Sequence, residues 1–193
     1  MVIKVNEIKL GELAILKSGT NLSRLSKEDQ DTLSIYRGED FDIDQAYPYY
    51  EEDVNASINA NILQTNDLVF NTATAKAVLV SKESIGKTLI HTYVKIACQH
   101  IDPRYLLYLL NEDASIRNII EVNREGSNVV KRFPLKKLEQ LMIPNIDSHS
   151  QARIGKAYLE LLSLYQAKLK EADSLKELAI EKINTKIRKK EDN

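Results

Sequence analysis

The chain has 193 residues, 43% of them hydrophobic and 28% charged, with a net charge of −1; this is enough for one domain with its own core and an appendage, and it argues against disorder over most of the length. Its apolar runs fall far short of the ~20 residues of a membrane span, and the start, Met1 to Glu7, lacks a signal-peptide apolar region, so a cytoplasmic protein without membrane association is expected. The single Cys98 excludes an internal disulfide and, within the strand-like run Val94–Cys98, reads as a buried structural thiol in a reducing compartment.

Charge is uneven along the chain. Residues 1–146 hold 17 Lys and Arg against 20 Asp and Glu, and residues 147–193 hold 10 against 8. Seven acids and no base lie between Glu39 and Asp53. Residues 115–137 reverse this, with Arg117, Arg124, Lys131, Arg132, Lys136 and Lys137 against Glu121 and Glu125. A nucleic-acid partner would meet the second stretch and avoid the first.

In chain order, Leu10-Gly11-Glu12-Leu13 predicts a helical turn feeding a strand at Ile15–Lys17. Phe41 and Ile43, alternating with Asp40, Asp42 and Asp44, predict a half-exposed strand. Asp67–Phe70 and Ala77–Val80 read as strands, the second followed by a turn near Gly86. Asp102-Pro103 opens a helix, with aspartate as the cap and proline at the first position; Leu106, Leu107, Leu109 and Leu110 give it a buried face. A second helix is expected over Ala114–Val122, and a short one over Pro134–Leu141 ahead of a strand at Met142–Pro144. This is an α+β pattern with a strand-rich core.

Residues 148–190 contain no proline and read as one long helix. Ser148 with Gln151 fits a capping box. Tyr158, Leu162, Tyr165, Leu169, Ala172, Ala179 and Ile183 follow a heptad seam, with Lys176 in one slot that the pattern reserves for an apolar residue. About 39 helical residues would extend ~58 Å. A small domain cannot cover a face of that length, so the helix asks for a partner helix. Leu162, Tyr165, Leu169, Ala172 and Ile183 are the expected contacts.

Catalytic patterns fail one by one. Gly86-Lys87-Thr88 ends like a phosphate-binding loop, but Ser81 stands where the loop needs its first glycine. Asp40, Asp42, Asp44 and Glu51 have calcium-loop spacing, but Gln45 occupies the glycine position. His91, His100 and His149 are scattered without metal-ligand spacing, and no nucleophile elbow is present. No catalytic residue, metal ligand or cofactor site is predicted.

The segment Asn123–Arg132 is the exception. Gly126 permits a left-handed backbone, Ser127 and Asn128 carry short hydrogen-bonding groups, and Arg124, Lys131 and Arg132 flank them. Phosphate grip needs such cations, and base reading needs two-point side chains such as Asn and Arg. The same composition also serves a solvated loop, and the residues alone leave both open. Lys76, at the end of the polar run Asn71–Lys76, is a further candidate.

The order of short motifs resembles the specificity subunits of type I restriction-modification enzymes. Leu10–Leu13 leads into Lys17-Ser18-Gly19; Asn66-Asp67-Leu68-Val69 follows, with Asn66 where the family usually has glycine. Then come Pro103–Leu110, Glu125–Asn128, Pro134–Leu138, Met142-Ile143-Pro144, and Gln151 and Ile154 at the head of the long helix. Pro144 lacks the family's second proline. Typical members carry two target-recognition domains and two such helices, whereas one of each is visible here, a half-subunit pattern.

The resemblance implies a non-catalytic DNA-recognition subunit: a target-recognition domain at 1–146 and a dimerisation and spacer helix at 147–193. It further implies homodimerisation and a split palindromic site, because site symmetry mirrors protein symmetry. Methyltransferase subunits would dock on it, and the restriction subunit would join indirectly. S-adenosylmethionine, ATP and Mg would sit on those partners. Arg124, Ser127, Asn128, Lys131, Arg132 and Lys76 are the expected DNA contacts. The competing reading is a coiled-coil interaction protein that binds methyltransferase or another specificity subunit without reading DNA, and the near-neutral charge suits it.

Overall fold

A computed structural model describes residues 6–21, 23, 33–54, 61–127 and 131–191. They form two compact units, residues 1–159 and residues 160–193. In the first, β1 (Asn6–Lys9) pairs antiparallel with β8 (Met142–Asn145), Ile8 opposite Ile143. The helical turn α1 (Leu10–Leu13) then delivers the chain into β2 (Ala14–Ser18), as the motif predicts. A four-stranded antiparallel sheet has the order β2-β5-β3-β4, with β3 at Leu68–Asn71, β4 at Lys76–Leu79 and β5 at Tyr93–Cys98.

Both faces of the central strands are buried, which explains their near-continuous apolar runs. Val69, Val78 and Val80 join Tyr36, Phe41, Leu63, Leu89 and Tyr93 in one cluster. Residues of opposite parity, Leu68, Phe70 and Leu79, point the other way by strand alternation and are fully buried too. Phe70 meets Phe133 edge-on at 6.0 Å. The helix α3 (Pro103–Glu112) packs against β4 and buries all four predicted leucines. Asp102 caps it, accepting from the Arg104 and Tyr105 N–H groups. At its far end, the Asn111 amide donates to the Ala77 carbonyl at 2.8 Å and accepts from the Ala77 N–H at 2.9 Å. The helix α4 (Ala114–Val122) falls where predicted, and the short α5 (Leu135–Glu139) precedes β8.

The acidic stretch departs from expectation. Residues Gly38–Ala46 form a helix, α2, not a strand. The Asp40 carboxylate accepts the Arg37 N–H at its start. Phe41 and Asp44, one turn apart, are the buried pair. Asp44 is wholly enclosed and accepts from the Tyr36 hydroxyl at 2.7 Å, the Ser81 N–H at 2.9 Å and the Ser84 hydroxyl at 2.7 Å. Alternation of acids and apolar residues favours a strand only while the acids stay in water; three donors reverse that preference. The Tyr36 phenol, buried beside Asp44, titrates far above its usual range.

Two features surround the Asn66-Asp67 motif. Asn66 stands at φ 67°, the left-handed region that favours glycine and next tolerates asparagine. Its amide compensates by clasping the Glu51 backbone, donating to the carbonyl at 2.7 Å and accepting from the N–H at 3.0 Å. We expect Asn66→Gly to stay within ~0.5 kcal/mol of the parent and Asn66→Ala to lose about 1–2 kcal/mol in urea unfolding. Equal losses in both would contradict this account. Asp67 lies 2.7 Å from the Lys95 ammonium, and both side chains are 2% exposed. Asp67 also accepts the Gln64 N–H, and Lys95 donates to the Ile62 carbonyl.

The long helix α6 spans Ser148–Glu191. The capping assignment shifts: Asp147, not Ser148, accepts the Ser150 N–H, and the Ser150 hydroxyl together with that N–H holds its carboxyl below the usual range. Gln151 is free for another task. Its oxygen accepts the Asp102 N–H at 2.9 Å and its amide donates to the Ile146 carbonyl. Gly155 follows, where a side chain would stand 2.6 Å from Arg104 Cβ and 2.8 Å from the Tyr105 nitrogen. Tyr158 then meets the Tyr108 ring edge-on and donates to Glu112 at 2.8 Å. The first turns of α6 thus run along α3 in close contact.

In the second unit, residues 160–187 of the helix expose nearly every side chain, Leu162 and Gln166 being half-buried. Tyr165 is 58%, Leu169 42% and Ile183 57% exposed, and Leu161, Leu164, Leu175 and Leu178 widen the apolar stripe. A single helix of this composition has no tertiary cover over the seam positions within its own unit. No helix among the described residues is long and apolar enough to cross a membrane.

Candidate nucleic-acid interface

Two segments singled out in the sequence come together in space. Asn71–Lys76 is the turn joining β3 to β4, with Asn71 opposite Lys76. Glu125–Gly126 and Lys131–Arg132 are the arms β6 and β7 of a two-stranded hairpin, Glu125 opposite Arg132 and Gly126 opposite Lys131. Gly126 has φ 136°, the conformation that its position in the loop implied. The Phe133 N–H, just past β7, donates to the Thr72 carbonyl at 2.8 Å. Arg124, just before β6, donates to the Ala73 carbonyl. The buried Phe133 ring anchors this end of the hairpin against Phe70.

The charges around the hairpin are sorted. Glu121 takes Arg117 at 2.9 Å and Arg124 at 3.1 Å. Glu125 takes Lys137 at 2.7 Å. Both acids of the basic stretch are therefore neutralised locally. Lys76, Lys131, Arg132 and Lys136 are exposed, and none of them has an ion-pair partner among the described residues. The result is a cationic rim on a hairpin and a neighbouring turn. Such exposed pairs contribute little to stability, about 0–1 kcal/mol each, so their effect is chiefly on local potential.

The predicted contacts fare differently. Lys76, Lys131, Arg132 and Ser127 lie exposed at this surface. Asn128 lies outside the described residues. Arg124 is at the site, but its guanidinium is engaged with Glu121, the Ala73 carbonyl and the Lys131 carbonyl. The sequence reading named Arg117 and Glu121 only as members of the basic stretch, without a role at the site, and did not single out Thr74. The four-residue spacing of Arg117 and Glu121 on one helix was a signal for the first two. Thr74 lay inside the polar run Asn71–Lys76, but only the fold brings that turn to the hairpin.

Other polar clusters do not compose a site of this kind. Gly86-Lys87-Thr88 is a turn with Gly86 at φ 86°, and Lys87 pairs with Asp40 at 2.6 Å. Arg104 forks onto Asp102 and lies 3.8 Å above the Tyr50 ring. Cys98 is partly covered, and burial together with Asp67 and Asp102 pushes its thiol well above the usual range, away from nucleophilic use. Among the described residues, no group of three or more His, Cys, Asp and Glu is placed to hold a metal ion.

No known family profile matches the chain, and no curated protein matches it. Solved structures do. The S subunit of the type I restriction-modification system from M. genitalium shares 17% identity and a TM-score of 0.53, covering 92% of this chain and 44% of that one. A chain from a structure addressing complex assembly and conformational transition of the type I R-M system shares 16% identity and a TM-score of 0.62, covering 95% and 44%. The HsdS subunit from Thermoanaerobacter tengcongensis shares 16% identity and a TM-score of 0.54, covering 89% and 40%. The chain spans less than half the length of each of these solved chains. The resemblance carried by the order of short motifs and this likeness of backbone agree: over about nine-tenths of its own length, the chain has the fold of a type I restriction-modification S subunit.

Proposed function

We propose that the chain is a DNA-recognition subunit that chooses a site for methyltransferase and nuclease partners and performs no chemistry itself. The observation that carries this reading is the exposed hairpin with its rim of Lys76, Lys131 and Arg132, whose neighbouring acids are already paired. The cations grip phosphates, and Ser127 and the Asn128 that follows it in sequence supply the groups suited to base edges. Residues 1–146 are the reading domain and residues 147–193 the assembly helix. The exposed stripe of that helix, with Leu162, Tyr165, Leu169, Ala172 and Ile183, pairs with the same helix of a second copy. Two copies on a two-fold axis read a split palindrome.

With a net charge of −1, the isolated protein is expected to bind DNA weakly and with a shallow salt slope. Repeated selection of the full chain on a randomised duplex pool, at low salt, tests the reading. Two half-sites in inverted orientation are expected to emerge, and the Lys131→Ala/Arg132→Ala variant is expected to enrich none. A pool that stays random with both proteins would sink the DNA assignment and leave the interaction-protein reading. Light scattering checks the pairing separately; a monomer at high concentration contradicts it.

A further inference from the structure

The turn between β3 and β4 is held far more firmly than a chain reversal requires. Asn71 Oδ1 accepts from the N–H groups of Ala73 and Thr74. The Thr72 hydroxyl donates to the Thr92 carbonyl, and the Thr72 carbonyl accepts from Phe133. Ala75 adopts φ 54°, a left-handed conformation that an alanine holds only when its surroundings impose it. Its carbonyl accepts from Arg117 and that of Ala73 accepts from Arg124. Glu121 holds both guanidiniums from behind. Thr74 and Lys76 are left exposed on this immobilised turn.

Resting on the DNA-binding reading above, we propose that the β3–β4 turn is a second contact element of the DNA face, with Thr74 and Lys76 touching DNA. Arg117, Glu121 and Arg124 are its positioning residues, locking the turn to the hairpin so that the two arrive as one rigid surface. The geometry separates the roles. Arg124 spends Nη1 on Glu121 and Nη2 on two backbone carbonyls, and its unpartnered Nε is buried, so little of the guanidinium is left to meet a phosphate. Among the described residues Lys76 has no such commitment, and Thr74 offers a short hydroxyl of the type that reads either a phosphate or a base edge.

The test uses the full chain and a labelled 30-base-pair duplex of random sequence, with affinity followed over a range of salt, and amide hydrogen exchange of the free protein. Lys76→Ala is expected to lower the salt slope by about 0.9, the value of one phosphate contact, without altering exchange in the turn. Arg124→Met is expected to leave the slope in place while exchange at Ala73 and Thr74 accelerates. Arg124→Lys, which keeps the cation but not the fork, is expected to accelerate exchange likewise. If Arg124→Met lowers the slope by about 0.9 and Arg124→Lys restores it with exchange unchanged, Arg124 is a contact and the proposal is overturned. If Lys131→Ala/Arg132→Ala lowers the slope while Lys76→Ala does not, the turn is no contact and the proposal is overturned with the DNA reading intact. If none of these variants moves the slope, the DNA reading itself fails.

Discussion

Replacing Lys95 by methionine is expected to lower the stability of the protein by about 3–5 kcal/mol at pH 7, a fall in Tm on the order of 10 °C. Lys95, on β5, and Asp67, just ahead of the neighbouring β3, are each 2% exposed and 2.7 Å apart near the centre of the sheet. Burial raises the Asp67 carboxyl to about 6, even though Lys95 and the Gln64 N–H pull it down. Without the ammonium, the carboxylate would be enclosed with only backbone help, and its pKa would climb further. The sign follows. A carboxyl whose folded pKa is raised contributes stability at low pH and loses it as pH rises through the folded value. The difference between Lys95→Met and the parent should therefore stay level below about 6, where both folded proteins carry the protonated carboxyl, and widen as pH rises above it toward the variant's higher pKa. Lys95→Met/Asp67→Leu, which removes both charges, should recover most of the loss. A penalty independent of pH would show that packing, not an abandoned charge, is responsible.

Gly19→Ala is expected to be nearly as damaging, at about 3 kcal/mol. A side chain at Gly19 would lie 2.2 Å from the Ile90 carbonyl oxygen and 2.7 Å from the Leu89 carbonyl carbon. These are backbone atoms and cannot rotate away. The same approach carries hydrogen bonds from Gly19 to Tyr93, Thr20 to Leu89 and His91 to Thr20. A methyl group must part these segments and disturb Leu89 and Tyr93 in the core cluster beneath. Gly38→Ala is the matched control, since nothing lies within 4 Å of its missing side chain. It should gain several tenths of a kcal/mol by restricting the unfolded chain. Urea unfolding decides the matter, and equal stabilities for the two variants would refute the steric account.

The order of elements was legible in the sequence because most of them are signalled locally. Asp102-Pro103 specifies a helix start by its own chemistry, and the apolar runs at β3, β4 and β5 are buried on both faces whatever lies beyond them. Residues 38–46 were misread because the donors that stabilise Asp44 inside the protein come from Tyr36, Ser81 and Ser84, the last two about forty residues away. The candidate site divides in the same way. The segment that forms its hairpin could be picked out from glycine and charge, although as a loop and not as paired strands. Its second half, the β3–β4 turn, depends on long-range contacts such as Arg124 to Ala73, fifty-one residues apart. Gln151 shows the same limit: local spacing suggested a cap, and the fold uses it to join two helices.

The amide of Asn111 has a consequence for the behaviour of the molecule in a crowded solution. β4 is the last strand of its sheet, four residues long, and an outermost strand is an open template on which a foreign chain can continue the ladder. Asn111 offers its carbonyl and its NH2 to the Ala77 N–H and C=O, mimicking the pair of bonds that an incoming strand would make. The helix thus supplies a counterfeit neighbour from within, and with one side chain it occupies the outward pair of bonds at Ala77 that an added strand would need.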